Sequence, residues 1–275
     1  MIKITFLFLI LIGLNSCQKE TFQIKNLSGN TIIAVGHGGM GFTSTFPLNT
    51  YESILQCLTL GLDGTEIDIQ LTKDNVLVAF HDEKLDDNTN LSGYVRDFTW
   101  HELQSAYYTN LPYLNYRIIS MDQLFSSLPN AEDYRYVFDC KLIAGASDPS
   151  TYQTDFIEAL VNIVSLFKLE QELYIESNSI LFLTACKVQK PDYLYLFINS
   201  SFENALQQAI VLNLSGISID NENISADQVL LSHAQHKIVS VWNVHYQPDN
   251  IDAIKKSVDI IQSDSPRNLY KLLNR

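Results

Sequence analysis

From residue 31 onward, the chain alternates between two kinds of segment. Short runs rich in β-branched and aromatic residues are typical of strands, and several are apolar without interruption, which favours a parallel sheet covered by helices. Eight runs are predicted as strands: 31–36, 65–71, 136–142, 173–176, 193–198, 216–220, 238–244 and 258–263. Helices are predicted over 50–60, 154–167, 179–187, 203–212, 226–235, 250–256 and, with Pro at its start, 266–273.

Eight strand and helix pairs predict a single-domain (β/α)8 barrel of the α/β class, with an open doubly wound sheet as the alternative. Such barrels usually have about 250 residues, and the chain has 275. No linker rich in Pro, Gly or Ser divides residues 31–275, so they are predicted to form one domain. Residues 77–116 are rich in Asp, Asn and Tyr and do not follow the alternation. They are predicted to form a small insertion at the mouth of the barrel, where such folds carry functional loops.

The first 16 residues have the pattern of a secretion signal. Lys3 precedes an apolar run over 4–14, which is shorter than the about 20 residues that a transmembrane helix needs. Leu14-Asn15-Ser16-Cys17 resembles a bacterial lipobox, in which the Cys is lipidated. The resemblance implies a lipid on Cys17, a tether over 17–30 and attachment to the outer or cytoplasmic membrane of a bacterial cell envelope, outside the cytoplasm. An ordinary signal peptide with a chance Cys17 is the alternative.

Composition excludes some classes of protein. With 46% hydrophobic and 18% charged residues, the chain is not typical of disordered or low-complexity proteins. Its net charge of −13 would repel the phosphates of nucleic acids, so no nucleic-acid partner is expected. Cys57, Cys140 and Cys186 are odd in number and widely spaced. They are predicted to be buried free thiols, not a disulfide framework or a zinc site.

Carboxylates at alternate positions of two predicted strands indicate a metal site. Glu66 and Asp68 are two residues apart, so on a strand both side chains face the same side. Two such carboxylates repel each other unless a positive charge lies between them, and a hard divalent cation such as Mg²⁺ or Ca²⁺ supplies one. Asp139 and Lys141 repeat the spacing, with Asp139 as a third ligand and Lys141 as a point charge for a phosphate oxygen. Solvated strand ends or surface ion pairs are the alternatives.

Two histidines follow apolar runs close to these carboxylates. His37 lies in Val-Gly-His-Gly-Gly and His81 in Val-Ala-Phe-His-Asp. Histidines at strand ends beside acidic metal ligands suit proton transfer near neutral pH. A structural role is the alternative for each one alone. The other four histidines lie in helix or loop contexts and are not predicted to be catalytic: His101, His233, His236 and His245.

The glycines around His37 match two other motifs. Residues 36–41 match the dinucleotide-binding pattern G-x-G-x-x-G, but no helix is predicted to begin inside it. His37-Gly38-Gly39 is similar to a hydrolase oxyanion loop, yet the chain has no G-x-S-x-G nucleophile motif. The dinucleotide interpretation also leaves His81, Asp139 and Lys141 without a role.

In this order, the residues resemble the glycerophosphodiester phosphodiesterase family. The matching segments are Gly36-His37-Gly38-Gly39, Pro47-Leu48-Asn49-Thr50, residues 64–74, His81-Asp82, Phe138-Asp139-Cys140-Lys141, Val241-Trp242-Asn243-Val244 and Ser263-Asp264-Ser265-Pro266. The block from Gly64 through Asp82 is the specific part. The resemblance implies a (β/α)8 barrel and metal-dependent cleavage of phosphodiesters, with Mg²⁺ or Ca²⁺ at the strand ends.

The resemblance also implies a role for each matching residue. By this resemblance, His37 and His81 would be the acid–base pair, and Glu66, Asp68 and Asp139 would be the metal ligands. Lys141 and Trp242 would line the phosphate and substrate pocket, and Asn49 would fix the first loop. One histidine would deprotonate the nucleophile, for which the substrate's own neighbouring hydroxyl is a candidate. The other would protonate the leaving alkoxide, and the assignment of base and acid stays open.

Three positions depart from the family pattern. Gly38 stands where the family usually has Arg, Leu48 where it has Glu, and Asp139 where Glu is common. A missing arginine removes a charge-assisted hydrogen bond to phosphate of roughly 1.5–3 kcal/mol, which Arg96 or Arg117 is a candidate to replace. The related sphingomyelinase D-like enzymes resemble the chain in the aspartate and in lacking the arginine.

The sequence therefore predicts a phosphodiester hydrolase that converts glycerophosphodiesters to glycerol 3-phosphate and an alcohol. Cleavage of lipid head groups, as by sphingomyelinase D or phospholipase D, is one alternative, for which residues of the insertion would supply an apolar patch: Tyr107, Tyr108, Leu111 and Tyr113. A binding lipoprotein without turnover is the other. The expected partners are a small-molecule or lipid phosphodiester and, through Cys17, a membrane.

Overall fold

The computed structural model describes residues 31–274 except 115, 146 and 172. The predicted signal peptide, the tether and Cys17 lie outside the described residues. Within them, the strands are β1 (Ile33–Gly36), β2 (Gly64–Leu71), β3 (Leu77–Ala79), β4 (Ile119–Ser120), β5 (Arg135–Cys140), β6 (Leu173–Ser177), β7 (Leu194–Ile198), β8 (Gly216–Asp220), β9 (Ile238–Val244) and β10 (Ile260–Ser263). The helices are α1 (Tyr51–Leu60), α2 (Trp100–Leu103), α3 (Met121–Ser127), α4 (Pro149–Phe167), α5 (Ile180–Gln189), α6 (Phe202–Val211), α7 (Ala226–Ala234), α8 (Gln247–Lys256) and α9 (Pro266–Leu272).

Eight parallel strands close into a barrel. The order around it is β1, β10, β9, β8, β7, β6, β5 and β2, and β1 pairs with both β10 and β2. This closure confirms the predicted (β/α)8 fold, and the alternative of an open doubly wound sheet is wrong. Each of the eight predicted strands overlaps one strand of the barrel.

Side chains that point into the barrel form two layers. The lower layer is apolar and consists of Val35, Val137, Tyr174, Leu196 and Ile260. Residues two positions further along the strands face the same side, and several of them are polar: Asp139 follows Val137, Glu176 follows Tyr174, and Gln262 follows Ile260, whereas Ile198 after Leu196 is apolar. The upper layer therefore places buried carboxylates near the carboxyl ends of the strands, the end at which such barrels carry their active sites.

The helices form because their first turns are capped. Thr50, Ser120, Ser179 and Ser201 each accept a hydrogen bond from a backbone N–H in the first turn of α1, α3, α5 and α6, respectively. Helix α4 begins at Pro149, five residues before its predicted start, because Asp148 caps it and Pro fits its first position. None of the helices in the described part of the chain is long and apolar enough to cross a membrane.

The segment between β2 and β5 was not predicted in detail. Strand β3 pairs antiparallel with the end of β2, and β4 pairs antiparallel with β3. Residues 77–116 also hold α2 and two short 3₁₀ turns. Their apolar side chains pack into a cluster of their own with Ile118: Val78, Phe80, Leu85, Val95, Leu103, Ala106 and Tyr108. The predicted insertion thus carries a small core of its own beside the mouth of the barrel.

Candidate active site

A cavity of about 380 Å³ opens at the carboxyl ends of the barrel strands. Its lining comprises His37, Phe42, Glu66, His81, Asp139, Lys141, Glu176, Ile198, Trp242, Asn243, His245 and Gln262. The two predicted histidines thus share one cavity with two of the three predicted carboxylates and with the predicted lysine. Asp68, the third carboxylate, is buried next to them and is 1% exposed.

Strand register brings the carboxylates together. Glu66 and Asp68 lie on β2, and Asp68 is the direct register partner of Asp139 on β5. Glu66, Asp68 and Asp139 each offer an oxygen within 4.8 Å of the others. Three crowded carboxylates repel one another, and they are hard oxygen ligands, which suit Mg²⁺ or Ca²⁺. The donor set therefore fits the divalent cation that the sequence predicts.

Lys141 supplies a positive charge inside this carboxylate cluster. Its Nζ lies 3.0 Å from Oδ1 of Asp68 and 2.5 Å from Oδ2 of Asp139. Burial opposes the charge of Lys141, but the two aspartates outweigh it and raise the pKa of the lysine above its usual range. Burial also opposes the ionisation of Asp68, yet Lys141 and the two histidines hold the pKa of Asp68 below its usual range. Lys141 and Asp68 are therefore ionised in the folded protein.

The remaining carboxyl groups of the cavity hold protons more tightly than usual. Burial, followed by the charges of Asp68 and Asp139, raises the pKa of Glu66 well above its usual range, although Gly38 N donates a hydrogen bond of 2.8 Å to Glu66 Oε2. Burial also raises the pKa of Asp139. A cation bound among these groups would favour their ionised forms.

Glu176 is a fourth buried carboxyl group that the sequence analysis missed. It follows Asp139 around the barrel as its register partner on β6. Nε2 of Gln262 lies 3.0 Å from both of its carboxylate oxygens. Burial and the charge of Asp139 raise the pKa of Glu176 to about 8. An acidic residue near the end of an otherwise apolar run was the available signal.

The two predicted histidines face each other across the cavity. Their ring centroids are 6.3 Å apart. Nδ1 of His37 lies 2.9 Å from Oδ1 of Asp264, and Nδ1 of His81 lies 2.8 Å from Oδ1 of Asp82. The hydrogen bond with Asp82 and the charge of Asp68 raise the pKa of His81. Because a carboxylate holds Nδ1 of each ring, Nε2 is the nitrogen left to exchange a proton with a ligand.

Gln70 fixes the backbone that carries His81. Its side-chain amide donates to the carbonyl oxygens of Phe80, at 2.9 Å, and Asp82, at 2.7 Å. These residues precede and follow His81, so Gln70 holds the short loop at the end of β3 from both sides. Gln70 lies on β2, two residues after Asp68, which ties the histidine to the strand of the carboxylates.

His245 is a third histidine of the cavity, which the sequence analysis placed among the non-catalytic histidines. Nδ1 of His245 lies 2.6 Å from Oδ2 of Asp264. The buried carboxylate of Asp264 thus holds His37 with one oxygen and His245 with the other. Phe42 covers this arrangement, since its ring centroid lies 5.6 Å from that of His37 and 6.2 Å from that of His245.

Of the two remaining predicted residues, Trp242 lines the cavity and Asn49 does not. Among the described residues, the buried Nε1 of Trp242 has no hydrogen-bond partner. Asn49 lies behind the carboxylates: its Nδ2 donates to Oδ2 of Asp68 at 2.7 Å, and its Oδ1 accepts from Asp68 N at 3.0 Å. Its backbone N–H donates to the carbonyl oxygen of Gly38 at 2.9 Å. Asn49 therefore ties the loop after β1 to β2.

The two arginines considered as replacements at position 38 lie elsewhere. Arg96 donates hydrogen bonds to Thr72, Asn75, Ser147 and Asp155. Arg117 donates to the carbonyl oxygen of Ser105. Neither lines the cavity, so the suggestion that they replace the missing arginine was wrong. Among the residues that line the cavity, Lys141 is the one lysine or arginine.

Comparison with known proteins gives a consistent result. Residues 40–268 match the model of the glycerophosphoryl diester phosphodiesterase family. A glycerophosphodiester phosphodiesterase from Caldanaerobacter subterraneus is 25% identical over 242 residues, which cover 86% of this chain and 96% of the relative.

Solved structures show the same fold. A phosphodiesterase from Oleispira antarctica, solved in complex with the product sn-glycerol-3-phosphate, has a TM-score of 0.77 at 18% identity, covering 88% of this chain and 96% of that one. A glycerophosphodiester phosphodiesterase from Parabacteroides distasonis has a TM-score of 0.74 at 20% identity, covering 88% and 97%.

Proposed function

Since the chain belongs to the glycerophosphoryl diester phosphodiesterase family and is a phosphoric diester hydrolase, we propose that it converts glycerophosphodiesters to glycerol 3-phosphate and an alcohol by acid–base catalysis of His37 and His81. The observation that carries the proposal is the meeting of these two rings in one cavity with Glu66, Asp139 and Lys141. The Oleispira antarctica phosphodiesterase, which has this fold, was solved with glycerol 3-phosphate as product, and this supports the same product here.

Several polar groups of the cavity have a task in this reaction. A divalent cation held by Glu66, Asp68 and Asp139 would supply a positive charge to the phosphoryl oxygens. Lys141 adds its own charge within the same cluster, so it stabilises the negative charge that grows on the phosphoryl group. One histidine takes a proton at Nε2 from the attacking hydroxyl as its oxygen bonds to phosphorus, and the other gives a proton at Nε2 to the leaving alcohol oxygen as its bond to phosphorus breaks. Attack by water gives the monoester directly, whereas attack by the substrate's neighbouring hydroxyl gives a cyclic phosphate that water then opens to glycerol 3-phosphate. Asp264 and Asp82 hold the two rings in the orientation that this exchange requires.

A binding protein without turnover was the alternative motivated by Gly38 in place of the family's arginine, and membership of a hydrolase family speaks against it. Binding alone needs no pair of histidines whose Nδ1 atoms are both held by carboxylates, with ring centroids 6.3 Å apart. This arrangement supports turnover.

Attachment to a membrane is a separate part of the proposal. It is supported by the sequence before residue 18, where an apolar run ends in Leu-Asn-Ser-Cys. We expect the chain to be lipidated at Cys17 and held in the cell envelope of a bacterium. In bacteria that express the full chain, labelled fatty acid should enter the parent protein and not Cys17→Ser. Equal labelling of both proteins would refute the anchor.

Phosphorus NMR of the purified protein tests the reaction. Glycerophosphocholine is incubated with Mg²⁺, with Ca²⁺ and with chelator, and a monoester or cyclic phosphate is expected only with a divalent cation. His37→Ala and His81→Ala should abolish conversion. His101→Ala, which changes an exposed histidine outside the cavity, is the matched control and should keep it. Full activity of either cavity variant, or conversion in chelator, would overturn the proposed catalysis.

A further inference from the structure

A second pocket of about 220 Å³ adjoins the reaction cavity. Its lining comprises Phe42, Pro47, Leu48, Phe80, His81, Asp82, Asn88, Tyr108 and Tyr113. We call this space the side pocket. It shares Phe42 and His81 with the reaction cavity, so the two spaces meet at one of the two histidines. The loop after β1 forms one wall, and the segment 77–116 forms the other.

Most polar atoms of the side pocket are already hydrogen-bonded to the protein. Asp82 uses Oδ1 for His81 and Oδ2 for the amide of Asn88. The hydroxyl of Tyr108 donates to the carbonyl oxygen of Leu48, and that of Tyr113 donates to the carbonyl oxygen of Ser44. These groups therefore present aromatic faces and aliphatic carbon to the interior, and a hydroxylated or charged ligand group would find few partners there.

Leu48 makes part of the wall of the side pocket apolar. Gly38 has a φ of 51°, and a Cβ at this position would lie 2.7 Å from Cβ of Leu48. Leu48 thus packs directly over the glycine and fills the space that a side chain at position 38 would enter.

The two neighbouring pockets point to the occupant. A phosphodiester has two substituents, and its phosphate lies with the carboxylates and Lys141 under the proposed function. From the pocket next to His81 we infer that the substrate is amphiphilic: one substituent is a short hydrocarbon or aromatic group that binds in the side pocket. This inference rests on the proposed function and names the substrate class of the same site. An apolar cavity of about 150 Å³ holds benzene, so about 220 Å³ accommodates a somewhat larger group.

A series of diesters tests the inference. Each member has glycerol on one side of the phosphate and a methyl, butyl, hexyl or phenyl group on the other, and glycerophosphocholine is the polar reference. In the parent protein, kcat/KM should rise about fourfold for each methylene that enters the side pocket. It should level off once the pocket is filled, and the phenyl ester should exceed glycerophosphocholine.

Two variants and one control show whether the side pocket causes the preference for longer alkyl groups. Leu48→Asn makes the wall polar at similar size, so it should reduce the ratio of kcat/KM between hexyl and methyl esters at least tenfold. Tyr113→Ala enlarges the pocket, so the highest kcat/KM should shift to a longer alkyl group. Leu181→Asn is the matched control: this leucine lies on α5 outside both pockets, is 74% exposed and should leave the ratio unchanged.

The outcomes separate the inference from the proposed function. Hydrolysis of all diesters at one rate, or fastest hydrolysis of glycerophosphocholine, would overturn the amphiphilic substrate and leave the enzyme. An unchanged hexyl to methyl ratio in folded Leu48→Asn would also overturn it. Failure to hydrolyse any diester would overturn the proposed function, and the substrate inference with it.

Discussion

Asp264 holds the catalytic candidate His37 through an oxygen 2.9 Å from its Nδ1. The two residues are 227 positions apart in the sequence and meet because β1 and β10 are neighbours in the closed barrel. Asp264 is fully buried, and its second oxygen holds His245. Although burial works against its ionisation, the hydrogen bond from His37 leads the effects that lower the pKa of Asp264.

Asp264→Asn should therefore impair catalysis more than binding. The amide keeps the size of the side chain and removes the charge that orients His37. We expect kcat to fall about 100-fold, at the lower end of what general acid–base catalysis contributes, with a small change in KM. Steady-state kinetics on glycerophosphocholine measure both constants. Asp227→Asn, on the exposed face of α7, should change neither, and an unchanged kcat in Asp264→Asn would refute the role in orientation.

The barrel itself could be predicted from the sequence because its strands are apolar and regularly spaced. The strand predicted over 216–220 is β8, and that over 238–244 is β9. Strands β3 and β4 have only three and two residues, and α3 has seven, so each is too short for a periodic pattern. Their positions depend on contacts between elements, since β3 pairs with β2, β4 pairs with β3, and α3 packs against both short strands.

The part of the site that lies on a single strand could be predicted from the sequence. Glu66 and Asp68 are two residues apart, and that spacing alone places both on one face. The partnership of Asp264 with His37 and His245 depends on the closure of the barrel, which no local pattern records. Glu176 was missed because its neighbours Asp139 and Gln262 come from other strands, so its own strand shows only one acidic residue near the end of an apolar run.

The free energy of unfolding should depend on pH through Glu176. Its pKa is raised to about 8, so the folded state binds its proton more tightly than the unfolded chain, in which the pKa is near 4.5. Its stabilising effect is complete below about pH 4.5 and is lost as the pH rises through 8. Glu66 and Asp139, whose pKa values are also raised, act in the same direction.

Glu176→Gln should make this pH dependence shallower. Urea denaturation in chelator at pH 5 to 8.5 measures the free energy of unfolding of each protein. The parent should lose stability toward high pH, whereas the glutamine variant should lose less. Glu203→Gln, an exposed change on α6, serves as control and should follow the parent. A variant with the slope of the parent would contradict the assignment to Glu176.

Gly38 should not tolerate a side chain. Its φ of 51° costs an L-residue roughly 1–2 kcal/mol. In addition, the new Cβ would lie 2.7 Å from Leu48 Cβ, so the loop must shift. Gly38→Ala should lose at least about 1 kcal/mol more stability than Gly145→Ala. Gly145 has a similar φ of 56°, but a Cβ there meets no atom closer than 3.5 Å.

For the same reason, Gly38→Arg should not raise activity by restoring the arginine of the family. Thermal and urea denaturation measure stability, and kcat/KM measures the rescue. Equal losses in the two alanine variants would show that the contact with Leu48 costs nothing, and a more active Gly38→Arg would show that the loop adapts.

Lys141→Met should lower the free energy of unfolding of the protein in the absence of a cation. Lys141 holds Asp68 and Asp139, and its removal leaves two buried carboxylates without a positive partner. We expect the free energy of unfolding in chelator to fall by about 3 kcal/mol, the lower end for breaking a buried ion pair, because the lysine side chain is 27% exposed. Lys73→Met, at an exposed position, is the control and should cost little.

Addition of Mg²⁺ or Ca²⁺ should then stabilise Lys141→Met more than the parent protein. A cation bound by Asp68 and Asp139 replaces the lost charge in the variant, whereas in the parent Lys141 already supplies part of it. The difference appears as a larger increase in Tm with added cation. Activity should remain low even at saturating cation, because in the proposed reaction Lys141 also neutralises the phosphoryl group. An equal increase in Tm for both proteins would mean that the cation and Lys141 do not share these carboxylates.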